Sequence, residues 1–82
     1  MGRALHIGNL SPFVTDDDLL AKFEDHGAVE SATVTRDTQT GLSKRVAYVV
    51  MASDEDAQAA VNWLHLSPFE GRIISVTHVK AN

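Results

Sequence analysis

Eighty-two residues, 44% of them hydrophobic and none of them cysteine, describe one small globular unit without disulfides or thiolate metal sites. No apolar run approaches the roughly 20 residues that span a membrane, and the opening residues hold no apolar core of signal-peptide length. A cytoplasmic protein is the expectation. The formal net charge of −4 rules out a uniformly basic surface, so a polyanionic partner would have to meet a locally positive face.

The elements follow in chain order. Residues 4–8 alternate, with Leu5 and Ile7 on one side and His6 and Gly8 on the other, which predicts a strand. Asn9 to Pro12 breaks it. Thr15 is an N-cap with Asp18 as its capping-box partner, and Asp16, Asp17 and Asp18 suit the positive end of a helix dipole. Leu19, Phe23 and His26 share one face of that helix, and Gly27 is read as its C′ stop.

Val29, Ala32 and Val34 predict a second strand, with Thr33 and Thr35 facing the other way. Asp37 to Gly41 is a turn. The third strand, Lys44 to Met51, buries Ala47, Val49 and Met51 and exposes Lys44, Val46, Tyr48 and Val50. Ser53 and Asp56 repeat the Thr15/Asp18 spacing. Ala57, Ala60, Val61 and Leu64 follow at helical period, and Ser67-Pro68 ends that helix. Ile74 and Val76 alternate with Ser75 and Thr77 in a last strand.

The order is β-α-β-β-α-β. It predicts an α+β, ferredoxin-like domain over residues 1–82, with a four-stranded antiparallel sheet and two helices on one face. The other face is left open and carries His6, Thr33, Thr35, Lys44, Val46, Tyr48, Val50, Ser75 and Thr77. Two exposed rings, His6 and Tyr48, on adjacent parts of such a face form a platform for unpaired bases.

These segments resemble the RNA recognition motif family over nearly the whole chain. Leu5-His6-Ile7-Gly8-Asn9-Leu10 is similar to the family's RNP2 hexamer, with His6 where an aromatic is usual. Lys44 to Met51 is similar to its RNP1 octamer. Lys44, Ala47 and Val49 match, and Tyr48 stands for the central stacking Phe. Arg45 occupies the usual glycine position, Val46 replaces the second aromatic, and Met51 replaces the terminal one. His65-Leu66 stands where the family often has Asn-Gly. Asp56-Ala57 and Gly71-Arg72 also fit the family pattern.

The resemblance implies single-stranded RNA as partner, with single-stranded DNA as a second candidate, and a monomeric, non-enzymatic domain without cofactor. His6 and Tyr48 would stack bases, Val46 would contact sugar or base, and Arg36, Lys44, Arg45 and Lys80 would hold phosphates. Asn9 and Thr77 would hydrogen-bond base edges. Histidine titrates near neutrality, so affinity is expected to rise on mild acidification if His6 is a contact.

Charge distribution is compatible with this. The helical segments hold Asp16, Asp17, Asp18, Glu24, Asp25, Asp54, Glu55 and Asp56 against one base, Lys22. The other bases lie at strand ends and in the β-hairpin. The acids are equally well explained as caps and solvated helix faces. Two rings and few cations supply about 2–5 kcal/mol of stacking, short of the roughly 8 kcal/mol of a micromolar complex. Weak binding, about 10–100 μM or poorer, with little sequence preference is expected.

The four histidines show no metal-ligand spacing, and no nucleophile, glycine-rich phosphate loop or cleft-facing carboxylate pair points to catalysis. The alternative function is protein binding through the helices around Trp63, although a half-buried Trp covering the helix–sheet edge is the plainer expectation. The short chain without Arg/Gly or Arg/Ser tails resembles small stand-alone bacterial or organellar proteins more than large splicing factors, and an excised domain is an equal expectation.

Overall fold

The structure, a computed structural model, describes residues 2–79. Of the expected contacts only Lys80 lies outside them. The chain runs β1 (Ala4–Gly8), α1 (Asp16–Glu24), β2 (Val29–Arg36), β3 (Ser43–Met51), α2 (Asp54–Leu64), β4 (Ser67–Phe69) and β5 (Arg72–His78). The strands pair antiparallel in the order β2-β3-β1-β5-β4. No helix among the described residues is long and apolar enough to cross a membrane.

The sheet therefore has five strands rather than four. Helix α2 stops at Leu64, and Ser67–Phe69, expected only to end a helix, pairs with Arg72–Ile74. The hairpin turns on Glu70 (φ 49°) and Gly71 (φ 82°), the two left-handed residues that a tight two-residue turn requires. A strand of three residues with a proline at its centre carries no alternation to read.

Both helix starts form as the sequence predicts. Thr15 Oγ1 accepts from the Asp18 N–H (3.2 Å) and Asp18 Oδ2 accepts from the Thr15 N–H (3.0 Å). Ser53 Oγ accepts from the Asp56 N–H at 3.1 Å. Asp16 does more than face a dipole: its Oδ1 accepts from the Val34 N–H of β2 at 2.7 Å. Helix α1 ends earlier than expected, with Asp25 as C-cap, so His26 and Gly27 lie in the following turn. Glycine is needed at 27 for packing: a Cβ there would sit 2.9 Å from the Asp56 side chain.

The core lies between the sheet and the two helices. Leu5, Ile7, Ala47, Val49, Ile74 and Val76 from the central strands meet Leu19, Phe23, Ala57, Ala60 and Leu64 from the helices. Met51 joins them, fully buried, as expected of an adaptable core side chain. Each large aliphatic or aromatic side chain removed from water contributes about 1.5–3 kcal/mol. This burial fixes strand register, and register fixes which side chains face outward.

Candidate nucleic-acid interface

Cross-strand pairing sets one row across the open face. Thr33 pairs with Tyr48, Tyr48 with His6, and His6 with Thr77. A second row holds Ser31, Val50 and Ala4. The Tyr48 ring is 47% exposed, although strand β3 is central in the sheet. Its centroid lies 5.4 Å from that of His6, with the ring planes inclined at 68°. The two rings thus offer two inclined planes rather than one continuous floor, suited to two bases that do not stack on each other. Beside His6, Gly8 keeps the surface low, since a Cβ there would lie 2.7 Å from Ser75 Oγ.

Val46, half-buried, precedes Tyr48 by two residues on β3 and shares its face. It offers an aliphatic edge and no stacking plane. Thr77 is exposed at the end of the main row, with its hydroxyl available to a ligand.

The cations stand around this row. Lys44 and Arg45 are exposed at the start of β3, and Arg36 at the end of β2 pairs with Ser43. Among the described residues the one ion pair is Arg3–Glu30, at 3.1 Å, so these three cations carry no carboxylate partner. Arg36 makes a long bond, 3.4 Å, to the Gly41 carbonyl. The hairpin between them is tied by Asp37, whose Oδ1 accepts from the N–H groups of Gln39 (2.8 Å) and Thr40 (3.0 Å). Those bonds, that from Thr40 foremost, hold the Asp37 carboxyl below its ordinary value.

Arg45 takes a left-handed backbone, φ 64°. Its N–H donates to Ser43 Oγ (3.0 Å) and its carbonyl accepts from the Leu10 N–H (3.0 Å). Arg45 lies in a bulge of β3, where the β2–β3 register shifts between Val34 and Arg36, and the bulge is held from both sides through the backbone of residue 45. Leu66, the other place where the sequence departs from a usual glycine, has φ 59°.

Asn9 is hydrogen-bonded within the domain. Its Nδ2 donates to the Ile73 carbonyl (2.7 Å), and its Oδ1 accepts from Arg72 Nη2 (2.6 Å). Arg72 Nε also donates to the Asn9 carbonyl at 3.2 Å. With both ends of the amide engaged, Asn9 clamps the end of β1 to β5. Arg72 is thereby brought to the platform's rim, a position sequence reasoning did not assign. The signal was present: an asparagine closing a strand tolerates the left-handed turn (φ 60°), and Gly71-Arg72 opens the strand beside it. Phe13 was also missed. It is 86% exposed in the β1–α1 loop, where no period marks a buried side.

Trp63 is 71% exposed rather than half-buried. Helix α2 turns Ala57, Ala60 and Leu64 inward, and position 63 falls off that stripe. Its ring stacks on His26, centroids 6.2 Å apart and planes inclined at 22°. Phe69, on β4, lies in the core.

An antiparallel sheet with both helices on one side and a bare, ring-bearing face on the other defines the open-faced ferredoxin-like class. Within that class the chain belongs to the RNA recognition motif family, whose model matches residues 5–75. It is 42% identical over 74 residues to small ribosomal subunit protein cS22 of Arabidopsis thaliana, covering 90% of this chain and 29% of that protein. It is 32% identical over 77 residues to the "Putative RNA-binding protein RbpF" of a Nostoc species, covering 94% of this chain and 73% of that one. The crystal structure of RNA binding protein PG1 superposes with a TM-score of 0.92 at 32% identity, covering 98% and 96% of the two chains. An Sxl-lethal protein/RNA complex superposes with a TM-score of 0.94 at 26% identity, covering 100% of this chain and 49% of that one. The chain spans less than a third of the length of the ribosomal subunit relatives it matches.

Proposed function

We propose that this domain binds short single-stranded RNA across the open sheet face. The observation that carries the reading is the Thr33–Tyr48–His6–Thr77 row, which sets the exposed Tyr48 ring 5.4 Å from the half-buried His6 ring on adjacent inner strands. Tyr48 and His6 take one base each, Val46 packs on a ribose, and Thr77 hydrogen-bonds a base edge. Arg36, Lys44 and Arg45 hold phosphates, with Lys80 as a further candidate. Asn9 acts by holding Arg72 in place. Names borne by relatives, among them RNA-binding proteins and a protein/RNA complex, support the RNA reading.

Binding by the monomer is weak, about 10–100 μM, and sequence-tolerant, because stacking carries most of it and each ring contributes about 1–3 kcal/mol. Single-stranded DNA binds by the same rings. A cytoplasmic or an organellar setting fits, the latter because one relative is a chloroplastic ribonucleoprotein. The test is an NMR titration with a pool of short RNAs, together with Tyr48→Ala. Amides of residues 5–8 and 46–49 shift first in the wild type, and Tyr48→Ala weakens binding by about 5- to 150-fold. Unmoved signals along that row, or undiminished affinity in Tyr48→Ala, would remove the reading.

A further inference from the structure

The surface opposite the platform holds an aromatic pair that folding does not account for. Trp63 stacks on His26 yet stays 71% exposed, and Leu66, three residues further along the chain, is 65% exposed. Leu66 also occupies a left-handed backbone position where glycine is easier, so a large apolar side chain is kept outward at a conformational cost. The turn after α1 lies along α2 here: Gly27 abuts Asp56, and His26 abuts Trp63. Those two contacts are seven residues apart on the helix, roughly 10 Å.

The neighbouring charge decides what fits this surface. A cleft of about 290 Å³ between α1 and β4 is lined by Asp18, Ala21, Lys22, Asp25, Phe69 and Glu70. Its Asp25 adjoins His26. The Lys22 ammonium is held 5.8 Å over the Phe69 ring, so one cation faces three carboxylates. With Asp56 against Gly27, the exposed Trp63 and the half-buried His26 have a carboxylate on either side of their stack, Asp25 and Asp56. That frame repels RNA and favours a cationic side chain able to lie flat on an indole.

We propose that this helix surface docks a basic peptide segment of a partner protein. An arginine guanidinium stacks on Trp63, the aliphatic part of its side chain packs on Leu66, and flanking cations face Asp25, Asp56 and Glu70. The partner is recognised independently of the RNA platform, which lies on the other side of the sheet.

Trp63 is the single tryptophan of the chain, so its emission reports directly on this surface. The probe is a short peptide alternating arginine and glycine, with a glutamate/glycine peptide of equal length as control. The arginine peptide changes Trp63 emission saturably, shifts amides of residues 22–26 and 63–66, and loses affinity as salt is raised. Followed by NMR, Trp63→Ser weakens the peptide about tenfold, and Asp25→Asn combined with Glu70→Gln weakens it severalfold, while RNA affinity is unchanged in both. Equal response to the glutamate peptide, or arginine-peptide shifts confined to other acidic positions, would overturn the proposal. So would an RNA-induced change at Trp63, or self-association in sedimentation that Trp63→Ser abolishes, because nucleic acid or a second copy would then be the occupant.

Discussion

Replacing Arg45 by glycine separates what its backbone needs from what its side chain does. At φ 64° an L-residue pays about 1–2 kcal/mol relative to its preferred conformations. Glycine removes that penalty but adds about 0.5–1 kcal/mol of unfolded-state entropy. The net gain is about 0–1.5 kcal/mol, which in a domain of this size raises Tm by up to roughly 12 °C. The bonds that hold the bulge, Arg45 N–H to Ser43 Oγ and Leu10 N–H to the Arg45 carbonyl, are made by backbone atoms of residue 45 and survive the change. Binding responds in the opposite direction. One phosphate contact fewer lowers the slope of log K against log salt by about 0.7 on a single strand. Arg45→Ala loses the same charge but keeps the Cβ, so it shows the salt effect without the gain in Tm. Thermal melts and anisotropy titrations at several salt concentrations measure both. If Arg45→Gly melts no higher than Arg45→Ala, the reasoning from backbone conformation is wrong. An unchanged salt slope removes Arg45 from the phosphate contacts.

Other outcomes follow from particular bonds. His65 Nδ1 accepts from the N–H of the buried Val76 at 3.0 Å, so His65→Ala leaves that donor unpaired and lowers stability by about 1–2 kcal/mol in urea unfolding; His65→Asn, whose amide oxygen also accepts, restores part of it. Asp37 has a depressed pKa when folded, so its contribution to the hairpin is complete above the ordinary carboxylate range and is lost as pH falls through the depressed value. NMR of the Gln39 and Thr40 amides should show a transition there, and a midpoint at or above the ordinary value would contradict the two bonds.

Most of the fold was legible because the chain states it twice. Period-two alternation in β1, β3 and β5, and Thr15/Asp18 and Ser53/Asp56 at the helix starts, give concordant local and global signals. The rings of the site were legible for the same reason, since burying Ala47 and Val49 forces Tyr48 outward. What escaped depends on contacts distant in sequence. The bonds of Asn9 to Arg72 and Ile73 join residues more than sixty positions apart and leave no local pattern. Trp63 reads as partial cover for the core until α2 is rotated into place by Ala60 and Leu64. The two glycine-to-bulky departures could be seen in the sequence, but not that both keep the left-handed backbone.

The bond from Val34 N–H to Asp16 has a consequence for the molecule among its copies. Strands β2 and β4 are the borders of the sheet, and a border strand with free N–H groups is a template on which another chain can polymerise. Along β2 the Asp16 carboxylate occupies one of those donors and places a charge at the rim. On β4, Pro68 has no N–H to offer. A domain that leaves one whole sheet surface uncovered is especially exposed to fibrous assembly, and here the first residue of a helix and a proline serve as its gatekeepers.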